Sequence, residues 1–384
     1  MLKRAKTTKV LAKACLLGNS ALFCAFGLAI YISVSSYFHI GALSRLAGQP
    51  WVSDGSLKRE PAYWSNAVWV SRKEYSNRLR ATYAMAGEKK IIAINLRHGL
   101  CNRLRALASA WALSDATHRW LRVISLRGVH FDADLSDVLN LTASRLDDVW
   151  NFFDETELDP TVYDVYDYMV HRSTPAFPKI DDSTLKHIYI SSAYLLNNPL
   201  AGGSRSLQFR EHLRRLVPHA AVVDRVASIS GILESRDPNP LVGVHIRSLS
   251  PDTELRGLTS DAYPAWGWLG LAKRRRASSN VTWYADEMSK IFTIHRHSVF
   301  YVSSDNRNAV SALQRATAID FIRSEATECT LLNARTARCL QCAFADLLIL
   351  AQSSLILGSG WSSFTEVASR LAGVQARFPA FGRF

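Results

Sequence analysis

The chain has 384 residues, a formal net charge of +13 and 48% hydrophobic residues. At roughly 100–200 residues per domain this length suits two domains and an anchor, and the apolar content is enough for a sizeable core; no repeat or low-complexity tract interrupts it. Five of the positive charges (Lys3, Arg4, Lys6, Lys9 and Lys13) precede the first apolar segment. The remaining surplus is moderate and suits a phosphate-bearing small ligand or an acidic surface as well as a nucleic acid; the lumenal location read from the N-terminus argues against a nucleic-acid partner.

Ala14 to Ser44 contains no Asp, Glu, Lys or Arg, and Cys15 to Ile40 is dominated by apolar and small residues. A bilayer core of about 30 Å needs about 20 such residues in a helix. With the basic cluster before the segment and only Arg45 just after it, the positive-inside rule predicts a cytoplasmic tail over 1–14, a transmembrane signal-anchor over 15–40 and a stem over 41–87. The expectation is a single-pass type II protein of the Golgi or ER membrane with a lumenal body. A cleaved signal peptide is the alternative, but its apolar region runs only about 7–15 residues.

In the body, Ile91 to Leu96 reads as a buried strand, Arg103 to His118 as a helix and Leu121 to Leu126 as a second strand. The middle is less legible. Acidic and aromatic stretches precede helices over Leu207–Leu216 and Ala220–Glu234, and Asp237-Pro238-Asn239-Pro240 marks a domain boundary. Strands then follow at Leu241–Ile246, Ser298–Ser303, Ile319–Ile322 and Ser354–Leu357, alternating with helices at Thr282–Ile294, Arg307–Ala316, Leu340–Ala351 and Ser362–Leu371. This alternation predicts an α/β fold of two Rossmann-like domains, 88–238 on the acceptor side and 239–384 for a nucleotide-sugar, with ligands at the carboxyl ends of the strands.

Asn140-Leu141-Thr142 and Asn280-Val281-Thr282 are glycosylation sequons. Among the cysteines beyond the anchor (Cys101, Cys329, Cys339 and Cys342), Cys329 can pair with Cys339 or Cys342 in an oxidising lumen. The C-x-x-C at 339–342 has no further ligands at zinc-site spacing, so no metal is expected. Lys273 to Arg276 reads as a solvated loop.

Three motifs fall at predicted strand ends. His245 and Arg247, two apart, share a face, and an Arg there can clamp a diphosphate with forked hydrogen bonds. Asp305, in Ser303-Ser304-Asp305-Asn306, either accepts from a guanine edge or ribose hydroxyl or merely caps the next helix. The loop Gly358 to Phe364 turns after a strand, and Ser362 and Ser363 then open a helix whose amides favour phosphate. Ser363-x-x-Glu366 also fits a capping box.

In order, these motifs resemble the fucosyltransferase superfamily of α1,6-fucosyltransferases, nodulation-type enzymes and protein O-fucosyltransferases. Gly99-Leu100-Cys101-Asn102-Arg103-Leu104-Arg105-Ala106-Leu107-Ala108 looks like its Gly-rich loop and helix, Val242–Arg247 like its H-x-R strand, and Phe300–Asn306 like its acidic strand end. Asp346 to Ala372 looks like its closing helix–strand–serine–helix segment. The resemblance implies a GT-B-like fold and an inverting, metal-independent transfer of fucose from GDP-fucose to a glycan or glycoprotein acceptor. It implies Arg247 at the donor's β-phosphate, His245 and Asp305 at guanosine, Ser362, Ser363 and Phe364 in the donor site, and Asn102 and Arg103 across the cleft near fucose or acceptor. Glu254 resembles the α1,6 enzymes' catalytic base, with Asp252 in reserve. Departures are Ser248 where those enzymes carry a second Arg, Cys101 where Gly is common, and no room for their coiled-coil stem or SH3-like domain. Tyr263 to Trp268 offers rings for stacking on acceptor sugar. Alternatives are a same-fold transferase using another nucleotide sugar and a Golgi sulfotransferase, though the latter's P-loop signature is missing after Leu96.

Overall fold

A computed structural model of the protein describes residues 90–169, 179–181, 183–196, 205–236, 240–248, 279–324, 329, 335–360 and 362–379. The expected anchor (15–40), the stem, Asp252, Glu254, the stretch 263–268, the basic run 273–276 and Trp361 lie outside the described residues. Among the described residues no helix is long and apolar enough to cross a membrane.

The first sheet grows outward from β1 (Ile91–Leu96), a strand buried along its whole length. Ile92, Ile94 and Leu96 enter the main core, while Ile91 and Ala93 enter a smaller core on the opposite face. Burial on both faces explains why the strand is a continuous apolar run with no polar alternation. With β2 (Trp120–Ile124), β3 (Val149–Trp150), β4 (Tyr163–Asp167) and β5 (His187–Ser192) it forms a sheet in the order β3-β2-β1-β5-β4, parallel throughout. The second sheet comprises β6 (Leu241–Ile246), β7 (Val299–Ser304), β8 (Ile322–Arg323), β9 (Leu355–Leu357) and β10 (Ala376–Arg377), ordered β10-β9-β6-β7-β8 and again parallel. The α-helices among the described residues are α1 (Leu100–Thr117), α2 (Arg205–Arg215), α3 (Ala220–Glu234), α4 (Val281–Ile294), α5 (Arg307–Ala316), α6 (Ala337–Leu350) and α7 (Ser363–Ala372).

In the second sheet the chain moves outward from β6 through β7 and β8, then returns to lay β9 and β10 on the other side. That reversal makes a switch point between β6 and β9, the place at the carboxyl ends of the strands where open α/β sheets form their ligand crevices. The equivalent reversal in the first sheet falls between β1 and β5.

The side chains of β6 divide by alternation. Val242, Val244 and Ile246 pack with residues of α4 and α5. Gly243 and His245 face α6 and α7. A methyl group at Gly243 would lie 2.7 Å from both Leu350 Cδ2 and Ser353 Oγ, so the end of α6 crosses directly over bare backbone.

The structure differs from expectation mainly in the middle. Residues 163–167 and 187–192, left as irregular sequence, are strands, and β5 is a central one. Helix α1 starts at Leu100 rather than Arg103, because Gly99 already takes the N-cap position at φ −78° and ψ 177°. Asn102 and Arg103 therefore lie in its first turn. The disulfide pairs Cys329 with Cys339 rather than with Cys342, so the C-x-x-C is divided between two fates.

Among the described residues, an ion pair joins helices of the two halves. Arg105 of α1 donates to the Ala193 carbonyl at 2.7 Å and meets Glu366 of α7 at 2.7 Å, their side chains only 13% and 11% exposed. Arg370 bonds the same carboxylate. Removing one partner of a nearly buried pair strands the other charge. Glu366→Gln is therefore expected to lower the unfolding free energy by about 3 kcal/mol in urea titrations; a loss below about 0.5 kcal/mol would mean the pair behaves as a solvated surface bridge.

Candidate functional site at the switch point of the second sheet

The crevice between β6 and β9 is organised by hydroxyl groups. Buried Ser359, just after β9, accepts from the Arg247 amide at 2.7 Å and donates to the His245 carbonyl at 2.9 Å. The Tyr284 hydroxyl of α4 lies 2.8 Å from Ser359 Oγ and also reaches the His245 and Gly358 carbonyls, each at 3.2 Å. Thr365 of α7 accepts from the Ser359 amide at 3.2 Å and bonds His245 Nδ1 at 2.7 Å. The loop Gly358–Phe364 is thereby fixed to the end of β6. Gly358 is needed because a methyl group there would collide with Thr365 Cγ2, not because the chain takes a left-handed turn.

His245 is buried, and its ring stacks on Phe364 with centroids 4.7 Å apart and planes 21° from parallel. Burial, with the Arg247 charge as a smaller cause, pushes its pKa down to about 3, so the imidazole is neutral at physiological pH. It acts as a rigid spacer between β6 and α7.

Arg247 and Asp305 come together. The guanidinium Nη1 lies 2.9 Å from Asp305 Oδ2, and both side chains are mostly buried. Asp305 Oδ1 accepts from the Ser248 amide at 3.0 Å. The capping role considered for Asp305 belongs instead to Asn306, whose side chain accepts from the Asn308 amide. Asp305 therefore orients the arginine at the mouth of the crevice.

Ser362 is the N-cap of α7, with no side-chain capping hydrogen bond, and Ser363 is the first residue of the helix. The capping box expected from Ser363 and Glu366 does not form, because the Glu366 carboxylate is turned toward Arg105 and Arg370. A helix start without a side-chain cap leaves first-turn amides for an anion.

On the other side, Asn102 is partly buried in the first turn of α1. Arg103 is buried and committed to its own half. It donates to the His98 carbonyl at 2.8 Å, to Ser125 Oγ at 2.8 Å and to the Leu126 carbonyl at 2.7 Å, with its guanidinium 4.2 Å from the Phe131 ring centroid. Burial, and secondarily the charge of Arg97, lower its pKa to about 9. Asn140 and Asn280 are exposed, each accepting a backbone hydrogen bond through Oδ1.

Sequence reasoning placed Ser359 in the site loop without a role of its own, and it missed Tyr284, Thr365 and Asp346. This carboxylate on α6 is buried, accepts from Tyr301 at 2.8 Å and from Ser303 at 3.0 Å, and has its pKa raised by burial. Ser303 is the register partner of His245, so Asp346 underlies the same strand ends. An acidic residue inside the apolar run Ala345–Leu350 was the available signal.

No protein-family model matches the chain, and no curated protein matches it in sequence. Solved structures do match. A FUT1 mutant from Arabidopsis thaliana, in complex with GDP, aligns at TM-score 0.50 and 15% identity over 79% of this chain and 74% of that one. The fucosyltransferase NodZ from Bradyrhizobium aligns at 0.45 and 13%, over 73% and 91%. POFUT1 in complex with GDP aligns at 0.46 and 11%, over 77% and 99%. The chain has a fucosyltransferase fold. Its two parallel sheets with intervening helices are the Rossmann-like α/β architecture expected from the sequence.

The buried imidazole has a thermodynamic consequence. His245 has a folded pKa below its unfolded value of 6.5, so between 6.5 and about 3 the unfolded chain binds the extra proton. This contribution to stability is present above pH 6.5 and declines as pH falls through that window. His245→Gln is expected to flatten that part of the pH–stability curve, read as the difference between wild-type and variant unfolding free energies; parallel curves would show that His245 titrates normally.

Proposed function

We propose that the protein is a glycosyltransferase that moves fucose from GDP-fucose to a hydroxyl of a glycan or glycoprotein. The observation that carries this reading is Arg247. It lies at the switch point, is oriented by Asp305 and has its amide fixed by Ser359, beside a helix start without a side-chain cap. A FUT1 structure of the same fold holds GDP, which supports a guanosine diphosphate leaving group here.

Departure of GDP builds negative charge on a phosphate oxygen. A pre-oriented guanidinium and helix amides stabilise that charge without a metal, because their dipoles are fixed before the reaction. Ser362, Ser363 and Phe364 contribute to the donor pocket. His245 supports Phe364 and Thr365 rather than exchanging protons, since its ring stays neutral. Attack from the opposite side of the anomeric carbon inverts configuration, with Glu254 or Asp252 as base. The apolar stretch 15–40 supports type II anchoring in the Golgi or ER membrane, and the two exposed sequon asparagines agree with a lumenal body.

Purified protein is expected to bind GDP, and Arg247→Ala to lower kcat/KM for GDP-fucose by about 10²–10³-fold. Binding of UDP but not GDP in calorimetry would overturn the donor assignment. Unaltered kinetics in Arg247→Ala would overturn the site.

A further inference from the structure

Helix α7 meets the candidate donor site with its first turn, and its far end is held by a different part of the chain. Gly373 closes the helix in the left-handed conformation, at φ 73° and ψ 24°, and its amide returns to the Ser369 carbonyl at 2.8 Å. The last carbonyls of a helix have no partner within it. Here α2 supplies the donors. Arg210 donates through Nη2 to the Ala372 carbonyl at 3.0 Å and through Nε to the Leu371 carbonyl at 3.3 Å, and Arg214 donates through Nη2 to Leu371 at 3.3 Å.

Three features exceed what a simple helix end requires. First, the Arg210 guanidinium fills the space that a side chain at 373 would take. A methyl group there would stand 2.4, 2.5 and 2.6 Å from Nη1, Cζ and Nη2. Glycine is thus needed twice, for the left-handed turn and for the arginine. Second, two guanidinium groups are brought together although both lose hydration. Burial lowers the pKa of each, and the charge of Arg210 lowers that of Arg214 further. The partial negative charge of a helix C-terminus offsets this repulsion. Third, the contact runs both ways. Arg370 of α7 stands 5.4 Å from the ring centroid of Phe209, a residue of α2 buried in the main core.

A helix of 10 residues is about 15 Å long and behaves as a short rod. Its first turn rests on β6, where Phe364 and Thr365 meet His245. Arg105 of α1 takes Glu366, and α2, which itself packs on α1, takes the last carbonyls. The direction of α7 is therefore set by two helices of the first half, while its first turn belongs to the site of the second. We propose that Arg210 is a positioning residue for the donor site: from the far end of α7 it sets the direction in which the first turn, with Ser363 and Phe364, meets β6. This rests on the glycosyltransferase reading and deepens it, because affinity for the nucleoside diphosphate is then controlled from the first half of the chain, about three helical turns from the ligand.

Calorimetric GDP binding and hydrogen exchange of the α7 amides, both on the full chain, test the proposal. Arg210→Ala is expected to weaken GDP binding by about tenfold and to raise KM for GDP-fucose alike, with kcat within about threefold of wild type. It is also expected to speed exchange of the Glu366 amide, which donates to the Ser362 carbonyl at 3.1 Å in the first turn. Arg210→Lys keeps the charge but fewer carbonyl bonds and is expected to weaken GDP binding by about threefold. Arg215→Ala is the control on the same helix. Arg215 bonds Asp115 at 2.7 Å and lies 4.3 Å from the Trp111 ring centroid, both on α1, so its loss is expected to lower stability yet leave GDP affinity and Glu366 exchange at wild-type values. Wild-type GDP affinity in Arg210→Ala, unchanged Glu366 exchange, or equal losses in Arg215→Ala would overturn the proposal. If wild-type protein binds no GDP while Glu366 exchange follows the expected pattern, the donor assignment falls and the positioning of α7 by Arg210 stands.

Discussion

The site depends on how β6 ends. On one side its ladder with β7 runs to Ile246 and Ser304, but on the other the three-residue β9 stops pairing at Val244 and Leu357. Beyond that point a buried carbonyl at His245 and an amide at Arg247 need partners, since orphaned backbone groups are costly in a closed interior. One side chain supplies both: Ser359 donates to the first and accepts from the second. The sheet is allowed to open into a crevice because a hydroxyl replaces the missing strand. Arg247 leaves that junction with its backbone already fixed, so less entropy is lost when its guanidinium is ordered.

From this junction order spreads to α7. Thr365 and Phe364 meet His245, and the same first turn presents Glu366 to Arg105 of α1. The first turn of α7 is held from both sides, by β6 beneath and by α1 across. A nearly buried ion pair is a poor source of net stability, because desolvation offsets much of its attraction. What it does provide is orientation: a displaced α1 would leave Glu366 without Arg105, so the register of the two helices is fixed by the penalty for missing it. The start of α7 is oriented by an interaction between the two sheets' helices.

Where both faces of a strand are covered, the sequence announces it. Ile91–Leu96 and Leu241–Ile246 have the observed boundaries, and so do the helices Ala220–Glu234 and Arg307–Ala316. β5 was illegible because His187, Ser191 and Ser192 dilute its apolar centre, and β4 because Tyr-Asp-Val-Tyr-Asp on a sheet edge looks like an acidic loop. In the site, His245, Arg247 and Asp305 were readable since each ends a strand. Tyr284 was not: it reaches Ser359 from a helix 75 residues earlier, and only tertiary packing makes that pairing. The role of Glu366 was misjudged for a related reason, as a local capping pattern lost to a distant arginine.

The residue after Arg247 is Ser248, where the α1,6 enzymes carry a second arginine. Its amide donates to Asp305 Oδ1, and its hydroxyl accepts from Asn306 Nδ2 at 3.1 Å, which fastens the exit of β6 to the exit of β7. A long cationic side chain at this position would forgo the contact with Asn306, and the Asp305 carboxylate would then be shared between two guanidinium groups. With serine there, Asp305 Oδ2 meets Arg247 while Oδ1 is held by backbone. The pair is therefore set before any ligand arrives. Such an ion pair repays little in isolation; on the proposed glycosyltransferase reading its value is that its geometry is ready before negative charge develops.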